Sequence, residues 1–325
     1  MPETIIVNGY AYPDVDEAVL RQALPQLTFV SAFSYGVTPE GGLILLEDGR
    51  LTELAAPFSV RTLMVLTALD EYGMFHSENF GEIFRQPGAR ERYVEEILAN
   101  LRAKGMAGVD FDFEYIPAEA RDLYTSVIAY TRERLNAEGY AVLAALAPKT
   151  SGDQQGVLYQ GHDYEGVGRA ANLVLLMTYE WGYTYGPPMA VAPINKVRQV
   201  LDYGVTVIDP AKILMGIPNY GYDWKLPFVK GESKARSIGN EEALEIAARY
   251  QADILFDETA QAPYFRYWDE AGAEHEVWFE DERSIRAKLA LAAEYGLAGV
   301  SYWNLMRPFA ANWRVLGEMY RIEKW

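Results

Sequence analysis

The chain contains no cysteine, which excludes disulfides, thiolate metal sites and cysteine nucleophiles together. Histidine is nearly as scarce. His76, His162 and His275 stand far apart without ligand spacing, so each reads as a surface or hydrogen-bonded structural residue, and no metal or cofactor is expected. Positive charge is also short: 29 Lys and Arg face 46 Asp and Glu, and the net charge of −17 repels phosphate backbones and anionic membranes. Nucleic acid and membrane are therefore not expected partners. No stretch approaches the roughly 18 apolar residues that a spanning helix needs. The opening Met-Pro-Glu-Thr-Ile-Ile-Val lacks the basic start and apolar run of a signal peptide. No glycine-rich phosphate loop follows an early strand, which weakens a doubly wound nucleotide-binding reading.

What is present is half hydrophobic by residue count, enough for one large globular domain or a domain with an insertion. Short apolar, β-branched runs alternate with amphipathic stretches from end to end, as parallel βα units do. Strands are predicted near residues 5–7, 28–33, 63–68, 108–113, 141–147, 173–179, 213–217 and 298–303. Helices are predicted over 15–24 with Asp14 as cap, 89–104 stopped by Gly105, 118–135, 193–203, 283–295 and 312–320. Eight such units predict an α/β fold, a (β/α)8 TIM barrel. The rhythm breaks between the last two strands. A helix at 240–250 is followed there by alternating segments around Asp269-Glu-Ala-Gly272, so residues 223–281 read as a small α+β insertion with a hairpin. The barrel domain is then 1–222 and 282–325.

Gly108-Val-Asp-Phe-Asp-Phe-Glu114 carries the chemistry. On a strand, Asp110, Asp112 and Glu114 share one face while Val109, Phe111 and Phe113 share the other. The apolar face packs under helices and the acids point into the barrel, near one another and partly out of water, a combination that raises at least one pKa. Glu114, at the strand's C-terminal end where barrel active sites sit, is the expected general acid. A solvated edge strand or a magnesium or calcium carboxylate cluster are the rival readings of the same pattern. Abundant rings, 23 Tyr and 7 Trp, can line a groove for a ligand with alternating apolar and hydroxyl surfaces.

This segment resembles the Asp-Gly-x-Asp-x-Asp-x-Glu signature of glycoside hydrolase family 18, with Glu114 on the catalytic acid and Ala107 in place of the first Asp. Met177-Thr-Tyr-Glu-Trp-Gly-Tyr183 is similar to the family's sixth-strand motif, placing Tyr179 on the tyrosine that binds the substrate acetamido group, with Glu180 where the family has Asp. Gly299-Val-Ser-Tyr-Trp-Asn304 places Trp303 under the sugar of the cleavage subsite. Gly216-Ile-Pro-Asn-Tyr-Gly-Tyr222 resembles the seventh-strand motif and residues 264–281 the chitinase insertion domain.

The resemblance implies catalytic roles for Glu114, Asp112, Asp110 and Tyr179, with Trp303, Glu180, Met177, Trp181, Tyr220 and Tyr10 binding substrate. It implies a retaining, substrate-assisted hydrolase of β-1,4-linked N-acetylglucosamine polymers, working as a monomer. Details such as Pro263-Tyr-Phe-Arg-Tyr-Trp268 most resemble the spore branch, the YaaH- and SleL-like N-acetylglucosaminidases. That implies a peptidoglycan substrate and a place in spore coat, cortex or cell wall, with any LysM repeats lying outside this chain. A chitinase acting on chitin oligomers and a non-catalytic carbohydrate-binding lectin are the alternatives.

Overall fold

A computed structural model describes residues 3–325. Its centre is a ring of eight parallel strands: β1 (Thr4–Ala11), β2 (Phe29–Val37), β3 (Arg61–Leu66), β4 (Gly108–Phe111), β5 (Ala141–Leu146), β6 (Leu173–Leu176), β7 (Ile213–Pro218) and β8 (Gly299–Trp303). Each pairs with its sequence neighbour, and β1 closes the ring by pairing with both β2 and β8, Asn8 opposite Phe29 and Ile6 opposite Gly299. Closure leaves no sheet edge, and the apolar runs read from the sequence are buried on both faces. The fold is the (β/α)8 barrel expected.

Helices cover the outside. Ala89–Lys104 stops where the sequence says, with Gly105 left-handed at φ 64°. The first helix corrects its expected cap. It runs Glu17–Ala23, and Asp16, not Asp14, accepts from the backbone N–H of Val19 at 3.0 Å. Both acids fit the sequence signal, but only Asp16 directly precedes the first helical residue, where its carboxylate reaches the third N–H of the helix. Pro193 is the N-cap rather than the first residue of Ile194–Val207, so that helix starts one residue later than expected. Among the described residues no helix is long and apolar enough to cross a membrane.

Between β7 and β8 the chain builds a second, antiparallel sheet in the order 236–238, 221–225, 274–278, 262–268, 255–257. It begins at Gly221, two residues ahead of the expected boundary, because Gly221–Lys225 pairs along Glu274–Trp278. The hairpin around Asp269 joins Ala262–Trp268 to Glu274–Trp278. Helix Asn240–Arg249 packs Ala243, Ile246 and Ala247 against Phe265, Tyr267 and Val277, a cluster separate from the barrel core.

Candidate active site

At the C-terminal mouth of the barrel lies a cleft of about 760 Å³. The acids of the fourth strand reach it as that strand leaves the sheet. Hydrogen-bonded pairing ends at Phe111, extended only by the Asp112 N–H bond to the Leu66 carbonyl, 2.8 Å. The expected alternation is observed. Phe111 and Phe113 pack outward against Tyr124, and Phe113 also against Phe80, on flanking helices. Asp110 and Asp112 are buried, and Glu114 is half-buried at the rim.

Asp110 lies beneath the cleft, in a polar patch inside the barrel. Tyr10 Oη donates to its Oδ2 at 2.6 Å, while Ser31 Oγ, 3.5 Å from the same oxygen, donates to Asn8 Oδ1 at 2.9 Å. Asn8 in turn donates to Ser301 Oγ. Burial raises Asp110 to about 6 despite these bonds. Asp112 is held well above the usual carboxylate range, first by burial, then by the charges of Glu114 and Asp110. Glu114 is raised by burial and by the Glu180 carboxylate. Both expected causes are present, loss of water as the larger effect and repulsion as the smaller. Asp110 Oδ1 and Asp112 Oδ1 are buried without partners.

The other expected residues meet here. Asp112, Glu114, Tyr10, Met177, Tyr179, Glu180, Trp181, Tyr220 and Trp303 all line the cleft, so of the ten expected residues only Asp110 lies below its surface. Tyr179 follows β6 and leans over Gly216 of β7, where a Cβ would stand 2.7 Å from its ring. The Glu180 carboxylate, at a residue with φ 69°, accepts from Tyr220 Oη and, at 2.9 Å, from Tyr222 Oη, the latter in the small sheet. Trp303 ends β8 and is gripped edgewise by Phe33 at 5.1 Å and tilted against Tyr10 at 5.5 Å between ring centres. The hydroxyl of Tyr10 is committed to Asp110, so this ring supports the acids as well as bordering the cleft.

Sequence reasoning named His162 only as a surface or hydrogen-bonded structural residue, without its partners, and missed the supports Ser31 and Asn8. His162 is fully buried, its Nδ1 accepting from the Ala147 N–H at 2.9 Å and its Nε2 donating to the Phe113 carbonyl at 2.8 Å. Burial lowers it to about 4, so it stays neutral and pins the backbone between Asp112 and Glu114. No local signal marks such a residue. Ser31 and Asn8 could have been found, as polar residues within apolar strand runs. Among the described residues no group of three or more potential ligands could hold a metal ion.

Comparison with known proteins agrees with this architecture. The family model for glycosyl hydrolases family 18 matches residues 55–307. The cortical fragment-lytic enzyme of Bacillus subtilis (strain 168) is 40% identical over 305 residues, covering 94% of this chain and 70% of the relative. The crystal structure of the Bacillus cereus spore cortex-lytic enzyme SleL superposes with a TM-score of 0.95 at 36% identity, over 100% of this chain and 76% of that one. A chitinase from Chromobacterium violaceum, at 24% identity and a TM-score of 0.89 over 97% of this chain and 99% of that one, shares the fold.

Proposed function

The chain belongs to glycosyl hydrolases family 18, and from that premise we propose that it cleaves N-acetylglucosamine-containing strands of spore-cortex peptidoglycan at β-1,4 linkages, with retention and with the substrate's own acetamido group as nucleophile. One observation carries the reading: Asp112, a protonatable Glu114, Tyr179 and the Trp303 ring line a single cleft, with Asp110 buried beneath it. The similarity to cortex-lytic relatives supports the choice of substrate and a place of action in the spore cortex or cell wall.

Trp303 floors the subsite and orients the reacting sugar. Glu114 gives its proton to the glycosidic oxygen as the C1–O bond breaks, while the acetamido oxygen bonds to C1 and closes an oxazolinium ring. Asp112 accepts from the acetamido N–H and balances the cation, Asp110 shares a proton with Asp112, and the Tyr179 hydroxyl donates to the acetamido oxygen. Water then attacks C1 as the C1–acetamido oxygen bond breaks and the acetamido group is restored, the water's proton returns to Glu114, and two inversions leave the β configuration. Glu180, Trp181, Met177, Tyr220 and Tyr10 line the sugar path, and residues 223–281 form an inserted subdomain beside the barrel.

The test is to digest cortex-type peptidoglycan fragments, chitin oligomers and glucosyl analogues lacking the 2-acetamido group, and to identify products by mass spectrometry. New N-acetylglucosamine reducing ends from cortex fragments, slower cleavage of chitin and none of the glucosyl analogues are expected. Efficient glucosyl cleavage would reject substrate assistance, and a preference for chitin would reject the peptidoglycan assignment.

A further inference from the structure

A side pocket of about 500 Å³ opens off the cleft past Trp303 and Glu180, between the loop after β8 and the small sheet. Arg307 is the one cation that lines it, beside Asp14, Tyr12, Ser237 and Met306. Thirteen of the twenty arginines have a carboxylate within 4.0 Å; among the described residues Arg307 has none. Its guanidinium is oriented by the backbone and a hydroxyl instead. Nη1 donates to Ser237 Oγ and the Ile238 carbonyl, both at 3.0 Å, and Nη2 donates to the Ser237 carbonyl at 3.3 Å. These bonds use three of five N–H donors. The remaining two, Nε–H and one N–H on Nη2, form the side edge of the fork; among the described residues they have no protein partner, and Nε is not among the unpartnered polar atoms shut away from solvent. That edge is the one suited to a carboxylate taken bidentately. The nearby Glu180 is already bonded to Tyr220 and Tyr222, and only Asp14 contributes a second negative side chain.

We infer that Arg307 is a specificity residue that takes a carboxylate borne on the 3-O-lactyl substituent of a sugar neighbouring the one on Trp303, and so reads peptidoglycan apart from chitin. This rests on the substrate reading above. The carboxylate has two sources, the lactyl group itself or the terminus of a peptide attached to it, and both present the same two oxygens to the fork.

The experiment compares kcat/KM on oligosaccharides that alternate N-acetylglucosamine with its 3-O-lactyl derivative. One series carries the lactyl group as free acid or as carboxamide, and another carries a short peptide with a free or amidated terminus. Chitin oligomers serve as the neutral reference. A charge-assisted bidentate contact predicts that wild type favours acid over amide by about 10- to 100-fold in one of the two series, and that series identifies the source. In Arg307→Gln the acid-to-amide ratio falls toward one, whatever the absolute rates, and Arg307→Lys, which keeps charge but loses the fork, gives an intermediate ratio. A wild-type ratio near one in both series, with chitin oligomers still cleaved, overturns the inference alone. A preference that survives in Arg307→Gln also overturns it. Failure to cleave any acetamido glycan removes both this inference and the function it rests on.

Discussion

Glu180 sets the proton on Glu114 at a distance. Its carboxylate is the like charge that raises Glu114 after burial, and its own position is fixed by two tyrosine hydroxyls. A general acid works only while protonated, so activity falls on the alkaline side as pH passes through its raised pKa. Glu180→Gln removes the repulsion, lets Glu114 ionise at lower pH and should move the alkaline limb of the kcat/KM profile toward acid. An unmoved or upward-shifted limb contradicts this coupling. At this scale the sequence was informative about which acids face inward, because a strand alternates and the flanking phenylalanines declare the other face. The causes of their raised pKa values, proximity and loss of water, could be read from it, but not the residues that exclude the water. These are Tyr10, Tyr179 and Phe33, which come from other strands.

Gly216 shows how one strand positions a group carried by another. Its missing side chain makes the space into which Tyr179 leans, and a Cβ there would also meet the Leu176 carbonyl at 2.7 Å. Gly216→Ala should push Tyr179 off its site and lower kcat at least about tenfold, the scale expected when a positioned group moves by an ångström. Circular dichroism should meanwhile report an intact fold; full activity would show that Tyr179 tolerates displacement. Element existence was legible here, since all eight barrel strands and the long helices announce themselves by period and caps. Ends were less so. Strands β4 and β6 stop pairing before their apolar runs do, because the chains splay apart at the barrel mouth and the last residues of each run become the site. Short helices such as Gly49–Ala55, Phe80–Phe84 and Tyr164–Ala170 offer too few turns to show a period.

Across the whole molecule, the small sheet is tied to the barrel by an ion pair with both partners 1% exposed. Lys288 Nζ, on helix Glu282–Glu294, donates to Glu280 Oε2 at 2.9 Å, while the Glu280 N–H bonds Asn240 of the small subdomain's helix. Lys288→Met strands a buried carboxylate and should cost about 3–5 kcal/mol in denaturant unfolding, whereas pairing it with Glu280→Leu should recover most of that loss. Equal losses in the single and double variants would assign the cost to packing. Neither partner could be picked from the sequence, because a buried charge pair carries no periodic signature and depends on two elements meeting. The same holds for the cleft: its acids could be read along one strand, but its walls required β1, β6, β7 and β8 to close around them. That closure is what lets Glu114 serve as an acid, and Glu114→Gln tests it most directly. Reducing-end release from N-acetylglucosamine oligomers should fall by about 10²- to 10⁴-fold with thermal stability preserved, as for loss of a general acid. Turnover near the wild-type rate would contradict the account.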